Sequence, residues 1–361
     1  MFGGERHLKL ADVGGRGKPW PVPFDTACVL ARRGRPTAVL ASGDPFWHGA
    51  AGTLASQLSR DEWIAYPSPS TFSLAASRLG WPLETTICIG VHAAPFERLV
   101  PSLARGARII CLVRDAKAAS DLATWLVARG FGASRLWRLS ALGGPRERVT
   151  EARADSHWED DAAGPLAVAI EAAGAAGLPR ASGLADDLFK HDGQITKRPM
   201  RALALSALAP RPGEKLWDIG AGSGSISVEW ALAGGTSTAI EARGQRAANI
   251  RANAEAFGLA HKIVVLAGSA PAALSSLDRP DAVFIGGGLD AAMFEAIRQL
   301  VPAGTRLVAH GVTLETEALL SDLQRAHGGD LTRIAISHAA PLGGFRSWEA
   351  SRPVVQWSAV K

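Results

Sequence analysis

Short apolar runs alternate with longer stretches that carry an apolar stripe at helical spacing, and this rhythm repeats along most of the chain. In one place it is sharply punctuated. Residues 216–219 are apolar apart from Asp218, and they run into Gly220-Ala221-Gly222-Ser223-Gly224-Ser225. An amphipathic segment, 226–233, follows, so the stretch predicts a strand, a tight loop and a helix start. Ahead of it, Thr196 is expected to cap a helix whose stripe is Met200, Leu203, Ala204, Ala207 and Leu208, ended by Pro210 and Pro212-Gly213. Behind it, 236–240 predicts a second strand closing at Glu241, and 244–257 a helix with Ala247, Ile250, Ala254 and Phe257 inward, stopped by Gly258. Strands are further expected at 263–266, 281–285 and 306–309, with a last pair at 334–337 and 353–357. That count is the rhythm of a doubly wound α/β sheet, whose ligand lies beyond the carboxyl ends of its strands.

The first half shows the same alternation with less punctuation. Strands are expected at 37–41, 62–66, 85–89, 107–113, 135–139 and 165–170. The first runs into Ser42-Gly43-Asp44-Pro45-Phe46, and a helix from Gly49 carries Ala50, Leu54 and Leu58 on one face. Ser70 is placed to cap a helix that turns Phe72, Ala75, Ala76 and Leu79 inward, and 116–129 is a helix ended by Gly130. Between the last two strands lie 142–148 and a polar stretch, 151–161. Residues 172–185 are rich in Ala, Gly and Pro, so two domains are expected, 1–173 and 186–361, joined by a linker at 174–185.

Composition narrows the class. With 361 residues, 47% of them hydrophobic, the chain can build two cores. A net charge of +5 without a run of five basic residues demands no nucleic-acid partner. No apolar run reaches 18 residues, so a soluble, cytoplasmic protein without membrane contact is expected. Cys28, Cys88 and Cys111 are isolated, which argues against a disulfide framework, and the nine histidines lack metal-ligand spacing.

Three ligand classes use a loop like 220–224. A nucleoside-triphosphate loop needs Lys before Ser/Thr, and this one has none. A dinucleotide loop reads G-x-G-x-x-G, whereas here the glycines are spaced G-x-G-x-G. Asp218, Gly220, Gly222 and Gly224 resemble the D/E-x-G-x-G-x-G fingerprint of Rossmann-type methyltransferases that use S-adenosylmethionine. An acid at Glu241 can accept hydrogen bonds from both ribose hydroxyls.

The second half resembles the C15-methylating, decarboxylating methyltransferases of corrin biosynthesis. It does so through Gln194-Ile195-Thr196-Lys197-Arg198, the loop after Trp217, Glu241-Ala242, Gly268-Ser269-Ala270-Pro271 and Phe284-Ile285-Gly286-Gly287. The first half resembles the tetrapyrrole methylases of the C5-methylating type, through 2–8, Ser42-Gly43-Asp44-Pro45-Phe46, Pro67-Ser68-Pro69-Ser70-Thr71-Phe72 and 142–148. In this order the two halves resemble the fused C5,15-methylating precorrin enzymes. The tetrapyrrole methylases normally open with a strand and a G-x-G-type loop that form part of their cofactor site. The sequence here opens past that point, so the frame upstream of Met1 is expected to encode one, unless the domain is a remnant.

The resemblance implies a seven-stranded, mostly parallel methyltransferase sheet behind a tetrapyrrole-methylase-like domain. It implies methylation of a precorrin at C5 and C15, with decarboxylation of the C12 acetate. The implied cofactor contacts are Thr196, Gly220, Ala221, Gly222, Ser223, Gly224, Glu241, Ser269 and Ala270, with Gly43, Asp44, Ser70 and Thr71 in the first domain. Gly286 and Gly287 would face the substrate, and Lys197, Arg198, Arg201, Arg243 and Arg346 could meet its carboxylates. No metal is implied; a homo-oligomer is expected, and no catalytic side chain is named. The rival reading is an RNA or protein methyltransferase with a non-catalytic N-terminal binding domain. The amine-methylating branch often carries Asn/Asp-Pro-Pro-Tyr/Phe after the fourth strand, where this chain has Gly286-Gly287-Gly288-Leu289.

Overall fold

The computed structural model describes residues 1–158 and 166–361. It divides into two compact units, one of 1–94 with 104–176 and the other of 95–103 with 177–361. The segment Pro95–Leu103 thus belongs with the second unit, an excursion that one boundary along the chain does not describe.

The first unit is built on a five-stranded mixed sheet. Its order is Ile87–Gly90, Arg108–Val113, Leu166–Glu171, Arg135–Ser140 and Arg148–Arg153, with only the first pair parallel. Ile110, Leu139, Ala167 and Ala169 pack under the helix Thr71–Leu79, which turns Phe72, Ala75 and Ala76 inward. Ser70 caps that helix by accepting from Ser73 N at 3.1 Å. Cys111 is buried within the sheet, and burial pushes its thiol up to about 12.

Several expectations for this half are corrected. Segment 37–41 contributes one bridge, Phe2 to Val39, and no strand. Segment 62–66 forms no strand and leaves Ile64 and Tyr66 exposed. The strand Arg148–Arg153 lies in the polar region between the expected strands, because it is an edge strand whose side chains are mostly wet. Pro165 and residues 159–161 of the polar stretch lie outside the described residues.

The second unit carries the seven-stranded sheet. Its strands are β1 (Lys215–Ile219), β2 (Thr236–Glu241), β3 (Ile263–Ala267), β4 (Ala282–Ile285), β5 (Arg306–Gly311), β6 (Asp330–Ile334) and β7 (Val354–Val360). They lie in the order β3-β2-β1-β4-β5-β7-β6, with the first five parallel and β7 antiparallel to both neighbours. Helices α1 (Arg198–Leu208), α2 (Ser225–Leu232), α3 (Gly244–Ala256), α4 (Ala291–Leu300) and α5 (Leu314–His327) cover it. On one face Trp217, Ile219, Val283, Ile285, Leu307 and Trp357 meet residues of α4 and α5. On the other, Leu216, Phe284 and Val308 meet Ala204, Leu208, Ile226 and Trp230 from α1 and α2.

Here too local readings give way to tertiary context. Segment 226–233 is not amphipathic in place: α2 is buried from Ser225 to Ala231, because it lies under other elements on every side. The strand expected at 334–337 straddles two elements, β6 and an exposed hairpin of Ser337–Leu342 and Phe345–Ala350. Thr196 does not cap α1; Lys197 occupies that position and makes no side-chain cap.

Candidate functional site

Every parallel strand of the second unit ends on one edge, and the loops leaving it converge there. Gly220, Gly222 and Gly224 all adopt left-handed φ, +65°, +60° and +73°. At Gly220 a Cβ would stand 2.9 Å from the carbonyl oxygen of Gly287, and at Gly224 one would stand 2.6 Å from Ile250 Cγ2. The loop therefore demands glycine twice over, for its backbone and for its close approach to β4's exit and to α3.

Glu241, at the end of β2, is buried and faces this loop. One carboxylate oxygen accepts from Gly222 N at 2.9 Å and the other from Arg243 N at 2.9 Å. Each oxygen keeps a lone pair for a further donor. Asp218 lies beneath the loop, and its Oδ2 accepts from Ser227 N at 3.2 Å and Ser227 Oγ at 2.6 Å. Its Oδ1 is buried without a partner, as is Ser223 Oγ. Burial, with the Glu241 charge adding to it, pushes the Asp218 carboxyl up to about 6 against the two Ser227 bonds.

A strap formed by 183–197 crosses the same edge. Asn253 of α3 ties it to the loop, donating to Ser223 O at 2.8 Å and Lys190 O at 3.0 Å. Arg246 pairs with Asp192 at 2.7 Å. The carbonyl oxygen of Gln194 lies 3.4 Å from where a Cβ on Gly222 would stand. Thr196 follows, its own carbonyl held by Arg201 at 2.6 Å.

Arg201 is corrected as a substrate ligand. Its side chain is 0% exposed and is engaged by Glu229, Asp186 and the carbonyls of Thr196 and Leu184. Lys197, Arg198, Arg243 and Arg346 are exposed, the last on the hairpin. Gly286 and Gly287 are exposed at the exit of β4, and Ser269 and Ala270 follow β3. Sequence reasoning missed Asn253 and Glu229, since a polar residue on a helix gives no sign of what it bridges.

In the first unit, Gly43 and Ser70 are brought together: a Cβ on Gly43 would lie 3.0 Å from Ser70 Cα. Asp44 turns Oδ1 back to Phe46 N at 2.9 Å. Ser70 and Thr71 line a cavity of about 530 Å³, which His7, His48, His92, Trp47 and Phe72 also border. Among the described residues no group of three or more His, Cys, Asp or Glu could hold a metal ion.

A glycine loop after β1, an acid closing β2 and this strand order define a Rossmann-like S-adenosylmethionine-dependent methyltransferase. The donor set fits that cofactor: two carboxylates suit a cationic ligand with a ribose diol, and Asp218 Oδ1 at the end of β1 and Ser223 Oγ within the loop are buried without a partner. Residues 187–361 match the precorrin methyltransferase domain, and 24–156 match the tetrapyrrole (corrin/porphyrin) methylases. The chain is 49% identical over 372 residues to a precorrin-6Y C(5,15)-methyltransferase [decarboxylating] of Sinorhizobium sp, covering 100% of this chain and 90% of that one. It is 40% identical over 370 residues to the protein so named in Mycobacterium tuberculosis, strain CDC 1551 / Oshkosh, covering 100% and 93%. The crystal structure of the C-terminal domain of precorrin-6Y C5,15-methyltransferase from Rhodobacter capsulatus superposes with a TM-score of 0.50 at 53% identity, over 51% of this chain and 100% of that one. This chain belongs to the family of decarboxylating precorrin-6Y C(5,15)-methyltransferases.

Proposed function

We propose that this protein methylates a precorrin at C5 and C15 and removes the C12 acetate carboxyl as CO₂, in cobalamin biosynthesis. The second unit performs the C15 methylation and the decarboxylation, and the first unit the C5 methylation. The observation that carries the reading is the placement of Glu241, whose two oxygens bind Gly222 N and Arg243 N at the mouth of the glycine loop.

S-adenosylmethionine supplies an electrophilic methyl group when bound. Gly220, Ala221, Gly222, Ser223 and Gly224 would hold its methionine part, Glu241 its ribose, and Ser269 and Ala270 its adenine. Thr196 on the strap would contact it. In the first unit Gly43, Asp44, Ser70 and Thr71 serve the corresponding site. Gly286 and Gly287 leave space for the flat macrocycle, and Lys197, Arg198 and Arg346 meet its carboxylates.

The nucleophile is a ring carbon of the substrate, so no nucleophilic side chain is required. What the chain contributes is alignment and exclusion of water, and alignment alone is worth about 7–11 kcal/mol in favourable cases. No helix among the described residues is long and apolar enough to cross a membrane. The reading includes a cytoplasmic location, a homo-oligomer and no nucleic-acid partner.

The test is incubation of the full chain with precorrin-6Y and S-adenosylmethionine, followed by mass spectrometry. The expected product has gained two methyl groups and lost CO₂. Calorimetry showing no heat with S-adenosylhomocysteine, but a clear signal with a nicotinamide dinucleotide, would overturn the assignment.

A further inference from the structure

One titratable side chain at the carboxyl edge of the second unit has no task in the account above. His310 is the fifth residue of β5 and is 8% exposed. Its ring meets Phe284 edge-on, with centroids 5.1 Å apart at 84°. Nε2 lies 2.9 Å from Gln356 Oε1 on β7. An amide oxygen only accepts, so Nε2 carries the hydrogen and Nδ1 keeps its lone pair. Burial holds the imidazole below its ordinary pKa, and so neutral at pH 7, in spite of the Gln356 bond.

Its place follows from the sheet register and from α1. Ile285 pairs with Ile219 on one side and Ala309 on the other. Beyond that row β4 ends and Gly286 leaves the sheet, with Gly220 on its other flank, while His310 beside it stays in β5, paired with Gln356 of β7. β1 and β5 are two strands apart, about 10 Å. Arg306, at the start of β5, donates to the carbonyl of Leu208 at the end of α1, at 2.6 Å. His310 lies four residues on, about 13 Å along the strand. The first turn of α1 lies about 15 Å back along the helix from Leu208. The imidazole thus sits beneath the helix start that follows Thr196 and Lys197, between the glycine pair and β7.

We propose that His310 Nδ1 is the base that takes the proton released when the second unit methylates its ring carbon. The inference rests on the C15 methylation proposed above. The ring carbon bonds to the methyl group while the sulfur–methyl bond breaks, its electron pair staying on sulfur as a neutral thioether. That carbon then holds both a methyl and a hydrogen. Its C–H bond breaks, the electron pair restores conjugation in the ring, and the proton passes to Nδ1. Methyl transfer thus yields one proton, and loss of CO₂ from an acetate consumes one in making a methyl group. The imidazolium holds the proton that the second step needs, and the pair of reactions requires none from solvent.

The test uses the full chain with His310→Asn and His310→Ala. Asparagine retains a hydrogen-bonding group for Gln356 but cannot act as a base. Both variants are expected to bind S-adenosylhomocysteine like the wild type by calorimetry, while kcat for C15 methylation falls by about 10²–10⁴-fold. Added imidazole should restore about tenfold or more of that loss in His310→Ala and little in His310→Asn. The bound tetrapyrrole should accumulate a species with interrupted conjugation and a blue-shifted absorption. An active His310→Asn, a kcat near that of the wild type in both variants, or loss of S-adenosylhomocysteine binding in both would each overturn the proposal. Should His310→Ala fail to fold, His310→Asn alone decides. A wild type that binds no S-adenosylhomocysteine would instead sink the parent reading.

Discussion

Arg201 and Glu229 form an ion pair that solvent does not reach: Nε and Oε1 are 2.5 Å apart, with side chains 0% and 3% exposed. Glu229 also accepts from Gly183 N and Leu184 N, at 2.7 and 2.9 Å. Arg201 holds the carbonyls of Leu184 and Thr196 and lies over the Phe189 ring. The pair therefore fastens the strap 183–197 to α1 and α2. Removing one partner leaves a buried charge without compensation, which costs about 3–5 kcal/mol. Arg201→Met and Glu229→Gln should each lower stability by that amount in urea unfolding. The double variant should lose clearly less than their sum. A single-variant loss below about 1 kcal/mol would mean that water enters and screens the pair.

The same pair shows where reading the sequence ends. The loop 220–224, the acid at Glu241 and the parallel strands were legible, because glycine spacing and apolar runs record backbone geometry directly. Arg201 was not: on paper it is one more cation near a polyanionic substrate, and only the packing of α1 on α2 turns it inward. The stripe of α2 misled for a related reason, since a helix buried on every face has no polar side to find. Edge elements such as Arg148–Arg153 and the hairpin Ser337–Leu342 with Phe345–Ala350 escaped because wet strands lack an apolar signature.

Asp218 makes stability depend on pH with a particular sign. Its folded pKa, about 6, lies above the 3.8 of a free aspartate. Between those values the folded state keeps a proton that the unfolded state has lost, so this carboxyl lowers stability as pH rises from about 4 to above 6. The gap corresponds to on the order of 3 kcal/mol. Asp218→Asn should therefore be more stable than the wild type at pH 7.5, and the advantage should vanish near pH 4. Urea unfolding at the two pH values measures it, and an advantage independent of pH would contradict the account. Binding of S-adenosylmethionine should weaken in the same variant, because a cation loses a buried carboxylate.

Two glycines separate loop geometry from substrate space. Gly220 is left-handed and its Cβ would meet Gly287 O at 2.9 Å, whereas a Cβ on Gly287 would meet nothing within 4 Å. Gly220→Ala should cost about 1–3 kcal/mol through backbone strain, and it should weaken S-adenosylhomocysteine binding. Gly287→Val should leave both stability and that binding unchanged while raising KM for the precorrin. Loss of S-adenosylhomocysteine affinity in Gly287→Val would move this glycine from the substrate side to the cofactor side.

Glu241 offers the most direct check on the cofactor site, because its two roles separate chemically. Glu241→Gln keeps an oxygen for Gly222 N or Arg243 N but presents an NH₂ where the other oxygen stood. Hydrogen bonds to a charged acceptor are worth about 1.5–3 kcal/mol each. The dissociation constant for S-adenosylhomocysteine should therefore rise roughly 10- to 100-fold in calorimetry. A 2′-deoxyribose analogue lacks one of the hydroxyls that the carboxylate would bind, so the wild type should discriminate against it and Glu241→Gln should discriminate much less. Equal discrimination in both proteins would mean that Glu241 serves only the loop, through Gly222 and Arg243, and that the ribose is held elsewhere.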